Sequence, residues 1–262
     1  MSAPPRILII AGSDSSGGAG IQADIKTVTM LGGYALTAVT AVTAQNTLGV
    51  QAVHTVPAEM VGKQIDSCFD DIDADTVKIG MLGSAEIAHV VADRLEPASW
   101  PIVFDPVMVA TSGAELADEA TIAAFRRLMS LATVITPNLP ELEKLSGMPC
   151  KDEEAIIAAA ASLAERSRCA VLAKGGHKEG DKVLDILVED DGRVTRFADR
   201  RIETPHTHGT GCTLASALAT ELGRGAALPA AVTAARKFVR SALQHAPGFG
   251  KGAGPLGHQA VR

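Results

Sequence analysis

The 262 residues carry 24 Lys+Arg against 30 Asp+Glu, a net charge of −6, with 47% hydrophobic and 21% charged residues. Such a chain has enough apolar material for a sizeable core and is no disordered polymer. The acidic balance and an aromatic share of 3% exclude a general nucleic-acid binder, which needs a basic field and stacking rings.

Taken in chain order, short apolar runs alternate with helical patterns. A strand is expected over Ile7–Ala11, a helix over Ala19–Leu31, a strand over Ala35–Ala44, a helix over Pro57–Phe69, and a strand over Thr76–Ile79. A helix over Ala85–Leu95, a strand over Ile102–Phe104, a helix over Asp118–Leu131 and a strand over Thr133–Ile135 follow. Next come a helix over Glu153–Arg166 and a strand over Ala170–Ala173. Unbroken apolarity, as in Ile7-Leu8-Ile9-Ile10, fits strands covered on both faces by helices. The alternation predicts a doubly wound α/β sheet, mostly parallel. Asp190-Asp191-Gly192 separates two strand-like runs, Leu184–Glu189 and Arg193–Phe197, and predicts a hairpin at the sheet edge. Helices over Gly211–Leu222 and Leu228–His245 complete the chain, which reads as a single domain over residues 1–262. No run approaches the roughly 20 apolar residues of a membrane span, and Cys68, Cys150, Cys169 and Cys212 show no close spacing, so a cytoplasmic chain without a membrane partner is expected.

Ligands of open α/β sheets bind beyond the carboxyl ends of the strands. The residues there are Gly12-Ser13-Asp14, Gln45-Asn46, Gly80-Met81, Asp105-Pro106, Asn138 with Glu141, and Lys174-Gly175-Gly176-His177. The sharpest local signal is Thr207-His208-Gly209-Thr210-Gly211-Cys212-Thr213, followed by leucines at helical spacing. Glycines at a helix start leave first-turn N–H groups and the positive dipole end facing outward, an anion hole. It is no P-loop, because Gly-Lys-Ser/Thr is missing. Cys212 falls in that first turn, where the dipole is expected to favour the thiolate; His206 and His208 raise the rival of a Cys-His nucleophilic site. Asn138 and Glu141 share a helix start, which suits a cap, a divalent cation, or both.

In order, Gly12-Ser13-Asp14 through Asp24, Thr43-Ala44-Gln45-Asn46, Lys78-Ile79-Gly80-Met81, Asp105-Pro106-Val107, Thr136-Pro137-Asn138 with Glu141, Lys174-Gly175-Gly176-His177 and His208-Gly209-Thr210-Gly211-Cys212 resemble the hydroxymethylpyrimidine/phosphomethylpyrimidine kinases of thiamine biosynthesis, within the ribokinase superfamily. The resemblance implies a three-layer α/β/α fold, a homodimer, and ATP- and Mg²⁺-dependent phosphorylation of 4-amino-5-hydroxymethyl-2-methylpyrimidine and then its monophosphate. It assigns the transferring group to Gly209, Thr210, Gly211 and Cys212, and phosphate oxygens to Lys174, Asn138 and Thr210. Mg²⁺ falls to Asp105, Asn138 and Glu141, and the substrate to Gly12, Asp24, Gln45, Met81 and Val107. Gln45 carries both donors and an acceptor for an aminopyrimidine edge, and Cys212 stands where many superfamily members have an Asp base. Asp24 faces the pocket by resemblance, or solvent by its own pattern. Pyridoxal kinase is the nearest alternative, and a Cys-His hydrolase the alternative of another class.

Overall fold

Successive residues of the first strand, β1 (Arg6–Asp14), go to opposite sides. Leu8 and Ile10 join one buried cluster, whereas Ile7, Ile9 and Ala11 join another. Side chains alternate across a strand, so an unbroken apolar run means that both faces are covered. The computed structural model describes residues 3–96, 99–109, 113, 116–177 and 180–261.

The other strands are β2 (Tyr34–Asn46), β3 (Gly49–Thr55), β4 (Thr76–Ile79), β5 (Ile102–Phe104), β6 (Val134–Ile135), β7 (Ala170–Ala173), β8 (Lys182–Val188) and β9 (Val194–Arg200). They form one nine-stranded sheet, ordered β3-β2-β1-β4-β5-β6-β7-β8-β9. The six from β2 to β7 run parallel, and β3, β8 and β9 add antiparallel pairs at the two edges. Helices α1 (Gly20–Met30), α7 (Thr210–Gly223) and α8 (Leu228–Gln244) cover the Ile9 face. Helices α2 (Ala58–Asp71), α3 (Ala85–Leu95), α4 (Glu119–Leu131), α5 (Leu139–Ser146) and α6 (Glu153–Ser167) cover the Ile10 face. This is the expected three-layer α/β/α architecture, with the β8–β9 hairpin at an edge as expected.

Two differences from expectation bear on the site. The strand β3 was not anticipated, because Gly49–Thr55 is exposed along most of its length and shows no buried face. Pairing with it carries β2 beyond Ala44 to Asn46, so Gln45 sits opposite Val50 in the ladder rather than in a loop. The second is an irregularity of the β1–β2 register between Ala11 and Ser13. A bulge re-aims the residues around it, and here it falls at Gly12, where the strand meets the cavity. A methyl group on Gly12 would come within 2.7 Å of Met81 Cε.

Candidate active site

A cavity of about 800 Å³ opens beyond the carboxyl ends of the parallel strands. Gly12, Gln45, Met81, Asp105, Val107, Asn138, Glu141, Lys174 and Gly209 through Cys212 all line it, so each of the six strand-end segments reaches the cavity, whereas Asn46, Gly80, Pro106 and Gly175 of those segments and Asp24 of α1 do not line it. Among the described lining residues the imidazole of His208 is the sole ring, which leaves little stacking surface.

At the start of α7, Gly209 adopts φ 87°, ψ 8°, and a Cβ there would run into the carbonyl oxygen of Gly18. Only glycine meets both demands. Thr210 Oγ1 donates to Thr207 O at 2.7 Å, which closes the turn. The Gly211 and Cys212 amides have no acceptor among the described residues, as the first N–H groups of a helix require. These amides line the cavity at the positive end of the helix dipole, the arrangement that an anion hole requires.

Lys174 follows β7 and meets Asp105, which follows β5, with Nζ 2.6 Å from Oδ1. Thr136 Oγ1 donates to the same oxygen at 2.9 Å. The cap predicted at Asn138 is complete: its Oδ1 accepts from the Glu141 N–H at 2.9 Å, and Glu141 Oε2 accepts from the Asn138 N–H at 2.8 Å. Burial pushes the Glu141 carboxyl up to about 7; Lys174 opposes this and Asp105 adds to it. No cluster of three or more His, Cys, Asp or Glu suited to a metal occurs among the described residues. The donor set nonetheless fits a hard cation that keeps waters and phosphate oxygens in its shell, because two buried carboxylates, Asp105 and Glu141, share one ammonium.

Two expectations need correction. Asp24 neither lines the cavity nor meets solvent: it is fully buried between α1, β4 and α7. Its Oδ2 accepts from Lys78 Nζ at 2.8 Å and its Oδ1 from Ser216 Oγ at 2.6 Å. Lys78 occupies a core position on the Ile9 face, paired in register with Ile9 and Val103. The other correction concerns Cys212. Burial pushes its thiol up to about 11, with Asp24 and Asp105 reinforcing the rise against Lys78 and a hydrogen bond from the Gly20 N–H, so the thiolate expected from the helix start is not favoured. Neither His206 nor His208 bonds to Cys212 among the described residues, and the His208 ring is engaged by Asp14 instead. That removes the pairing a Cys-His nucleophile needs.

Sequence reading assigned no role to Lys78 or to the Asp14–His208 pair. A lysine inside the apolar run Thr76–Ile79 was the available signal. Asp14 holds the loop between β1 and α1: its carboxylate accepts from the backbone N–H groups of Ser16 (2.8 Å), Gly18 (3.1 Å) and Ala19 (2.8 Å) and contacts His208 Nε2 at 2.8 Å. Burial raises Asp14, but the hydrogen bonds from His208, Ser16 and Ala19 outweigh it and hold the carboxyl at about 2. A carboxylate lowered from 3.8 stabilises the fold above that ordinary value and ceases to do so as pH falls through 2. Asp14→Asn is therefore expected to lower stability by about 2 kcal/mol near neutrality. In urea titrations the gap from the unmodified chain should close between pH 4 and 2; a gap independent of pH would contradict the assignment.

A sheet of this order, with an anion-binding helix start and an ammonium–carboxylate pair beyond its carboxyl edge, defines a ribokinase-like kinase. The ADP complex of Bacillus subtilis pyridoxal kinase is similar over 99% of each chain, with a TM-score of 0.91 and 35% identity. The chain belongs to the phosphomethylpyrimidine kinase family, whose model matches residues 14–257. It is 43% identical to the hydroxymethylpyrimidine/phosphomethylpyrimidine kinase of Haemophilus influenzae, over 99% of this chain and 98% of the relative. It is also 46% identical to the thiamine biosynthesis bifunctional protein of Geobacter sulfurreducens over 96% of this chain, spanning 52% of that longer protein.

Proposed function

We propose that this kinase transfers a phosphoryl group from ATP to 4-amino-5-hydroxymethyl-2-methylpyrimidine and a second one to the resulting monophosphate, with Mg²⁺, as a cytoplasmic homodimer. One observation carries the reading: a single cavity presents the Gln45 amide together with the Gly209–Cys212 turn, Lys174 and Asp105. Phosphoryl transfer asks a protein mainly for alignment and charge neutralisation. Gln45 pairs with the aminopyrimidine edge, while Gly12, Met81 and Val107 wall the ring. The amides of Gly211 and Cys212 hold the transferring group, and Lys174 and the Asn138 amide nitrogen take phosphate oxygens; Thr210, whose hydroxyl and N–H both turn to Thr207 O, closes the turn instead of binding phosphate as expected. Asp105 and Glu141 would hold Mg²⁺, which supplies charge neutralisation between phosphate oxygens. ADP release measured with the hydroxymethylpyrimidine, its monophosphate and pyridoxal, each with and without Mg²⁺, tests the reading. Turnover of both pyrimidines is expected, and its absence would overturn the proposal. Pyridoxal turnover alone would favour the second reading, which the fold of the Bacillus subtilis pyridoxal kinase supports.

Glu141 gives the cation assignment its own signature. A carboxyl raised from 4.5 to about 7 makes the fold lose stability as pH rises between those values, since the folded state binds the extra proton there. Cation binding needs the ionised form and thus releases that proton. Calorimetric titration of Mg²⁺ with ATP present should show proton release near pH 7 in excess of that from ATP alone, and the excess should disappear in Glu141→Gln. Equal proton release in both proteins would remove Glu141 from the cation's shell.

The thiolate form of Cys212 accepts the hydroxyl proton in the first transfer. Because its thiol stands at about 11, the first step is expected to quicken as pH rises above neutrality. In the second step the acceptor is a phosphate with little proton to remove. Cys212→Ala should slow the first step about a hundredfold, the lower end of general-base contributions, and flatten its pH profile while largely sparing the second. Equal loss in separate single-step assays would refute the base role.

A further inference from the structure

The hydrogen bonds around His208 constrain which way the Gln45 amide points. Asp14 is ionised and already accepts from Ser16, Gly18 and Ala19. A carboxylate accepts only, so the 2.8 Å contact from its Oδ2 to His208 Nε2 requires the proton on that nitrogen. A protonated Nε2 has no lone pair for the side-chain nitrogen of Gln45, which lies 3.3 Å away. The other neighbour points the same way. Thr43 Oγ1 lies 3.0 Å from the carbonyl oxygen of Ser13 and 3.2 Å from the Gln45 amide, and its one proton serves only one of them; given to the shorter contact, it leaves the hydroxyl an acceptor toward the amide. With the Thr43 proton on Ser13, both neighbours favour the amide turned over, with its oxygen sharing the Nε2 proton that Asp14 holds and its nitrogen toward Thr43. Carbonyl and amino ends of an amide occupy nearly the same space, so proton bookkeeping decides between them.

We propose that His208, fixed by Asp14, is a positioning residue that locks the Gln45 amide with its oxygen on the His208 side, and so makes the site select a 4-aminopyrimidine over the 4-oxo counterpart. This rests on the reading of the cavity as a hydroxymethylpyrimidine site. With His208 and Thr43 satisfied, the amide keeps one N–H and one oxygen lone pair on its outer edge. These match the ring-nitrogen acceptor and amino donor of a 4-aminopyrimidine. A 4-oxo ring presents the reversed pattern, donor at the ring nitrogen and acceptor at the exocyclic oxygen. It pairs only with a turned amide. His208 is 5% exposed and its backbone N–H is held by Gly254 O at 3.1 Å, so the ring has a fixed base from which to act.

The test compares kcat/KM for the 4-amino and 4-oxo substrates in the unmodified enzyme, in His208→Leu and in His208→Gln. The unmodified enzyme should prefer the amino compound at least about a hundredfold, since each mismatched buried polar group is left unpaired. His208→Leu frees the amide to turn and should shrink that preference to within about tenfold. His208→Gln, whose side-chain nitrogen has a similar reach and two protons, should restore it. General loosening of the site would lower both rates together and leave the ratio alone. A ratio unchanged in His208→Leu would overturn the proposal. Should that variant fail to fold, NMR contacts of the Gln45 side-chain amide protons in the unmodified enzyme decide: protons close to the Thr43 side chain and away from the His208 ring support the lock, and protons against the His208 ring refute it. If the unmodified enzyme phosphorylates neither pyrimidine, the functional reading fails by itself, and the NMR contacts still judge the amide orientation.

Discussion

Lys78→Met should cost the fold about 3–5 kcal/mol, the usual penalty for removing one partner of a buried ion pair. Lys78 is among the largest fully buried side chains of the protein, and its ammonium lies against an equally buried Asp24. Methionine fills similar volume, so the loss is electrostatic rather than a cavity. Burial pushes the Asp24 carboxyl up and Lys78 opposes that rise. Without the ammonium, Asp24 takes up a proton more readily, and the penalty should shrink toward acid pH. Combining Lys78→Met with Asp24→Leu removes both charges and should recover most of the lost stability, because an apolar replacement of a buried pair is often neutral or better. Ser216 then turns its hydroxyl to its own helix, an option open to helical serines. Urea midpoints for the two singles and the double form the cycle. A single Lys78 variant within about 1 kcal/mol of the parent would show that the pair is not the electrostatic anchor described here.

The second large effect concerns activity. Gly209→Ala should lower kcat about a hundredfold or more, the scale expected when a reacting group is displaced by about 1 Å. Alanine at φ 87° carries a strain of roughly 1–2 kcal/mol, and its Cβ also runs into the Gly18 carbonyl, forcing the loop between β1 and α1 away from the start of α7. Gly225→Ala provides the control. Gly225 has φ 83° with open space around the missing Cβ, so it suffers the strain without the collision. A kcat defect confined to Gly209→Ala, measured where both variants are fully folded, would assign the effect to the anion hole. Matching kcat defects in both would trace it to general destabilisation.

Most of this fold was legible because its parallel strands are covered on both faces and so appear as unbroken apolar runs. The strand β3 was illegible for the complementary reason: Gly49–Thr55 is exposed and is held by pairing with β2 rather than by burial. The convergence of site residues was also legible, since strand ends in such a sheet share one edge. Protonation was not. A cysteine in a helix's first turn suggested a low pKa from local geometry alone, whereas the carboxylates of Asp24 and Asp105 that push it the other way arrive from distant parts of the chain. Asp24 was misread for a related reason. Three residues into α1 it resembles a surface carboxylate, and only the packing of α1 against β4 and α7 brings Lys78 and Ser216 to it.

The distances along the chain between partners have a consequence for how the enzyme comes into being. Asp14 and His208 are 194 residues apart, and Asp24 and Ser216 are 192 apart. Loops of that length close late, after the local pairings of neighbouring strands and helices have formed. During synthesis, strands β1 to β9 leave the ribosome before α7 does, so a nascent chain can hold most of its sheet while the phosphate-gripping turn is still unmade. A ribosome stalled before residue 209 thus carries all nine strands without the helix start on which the proposed function depends.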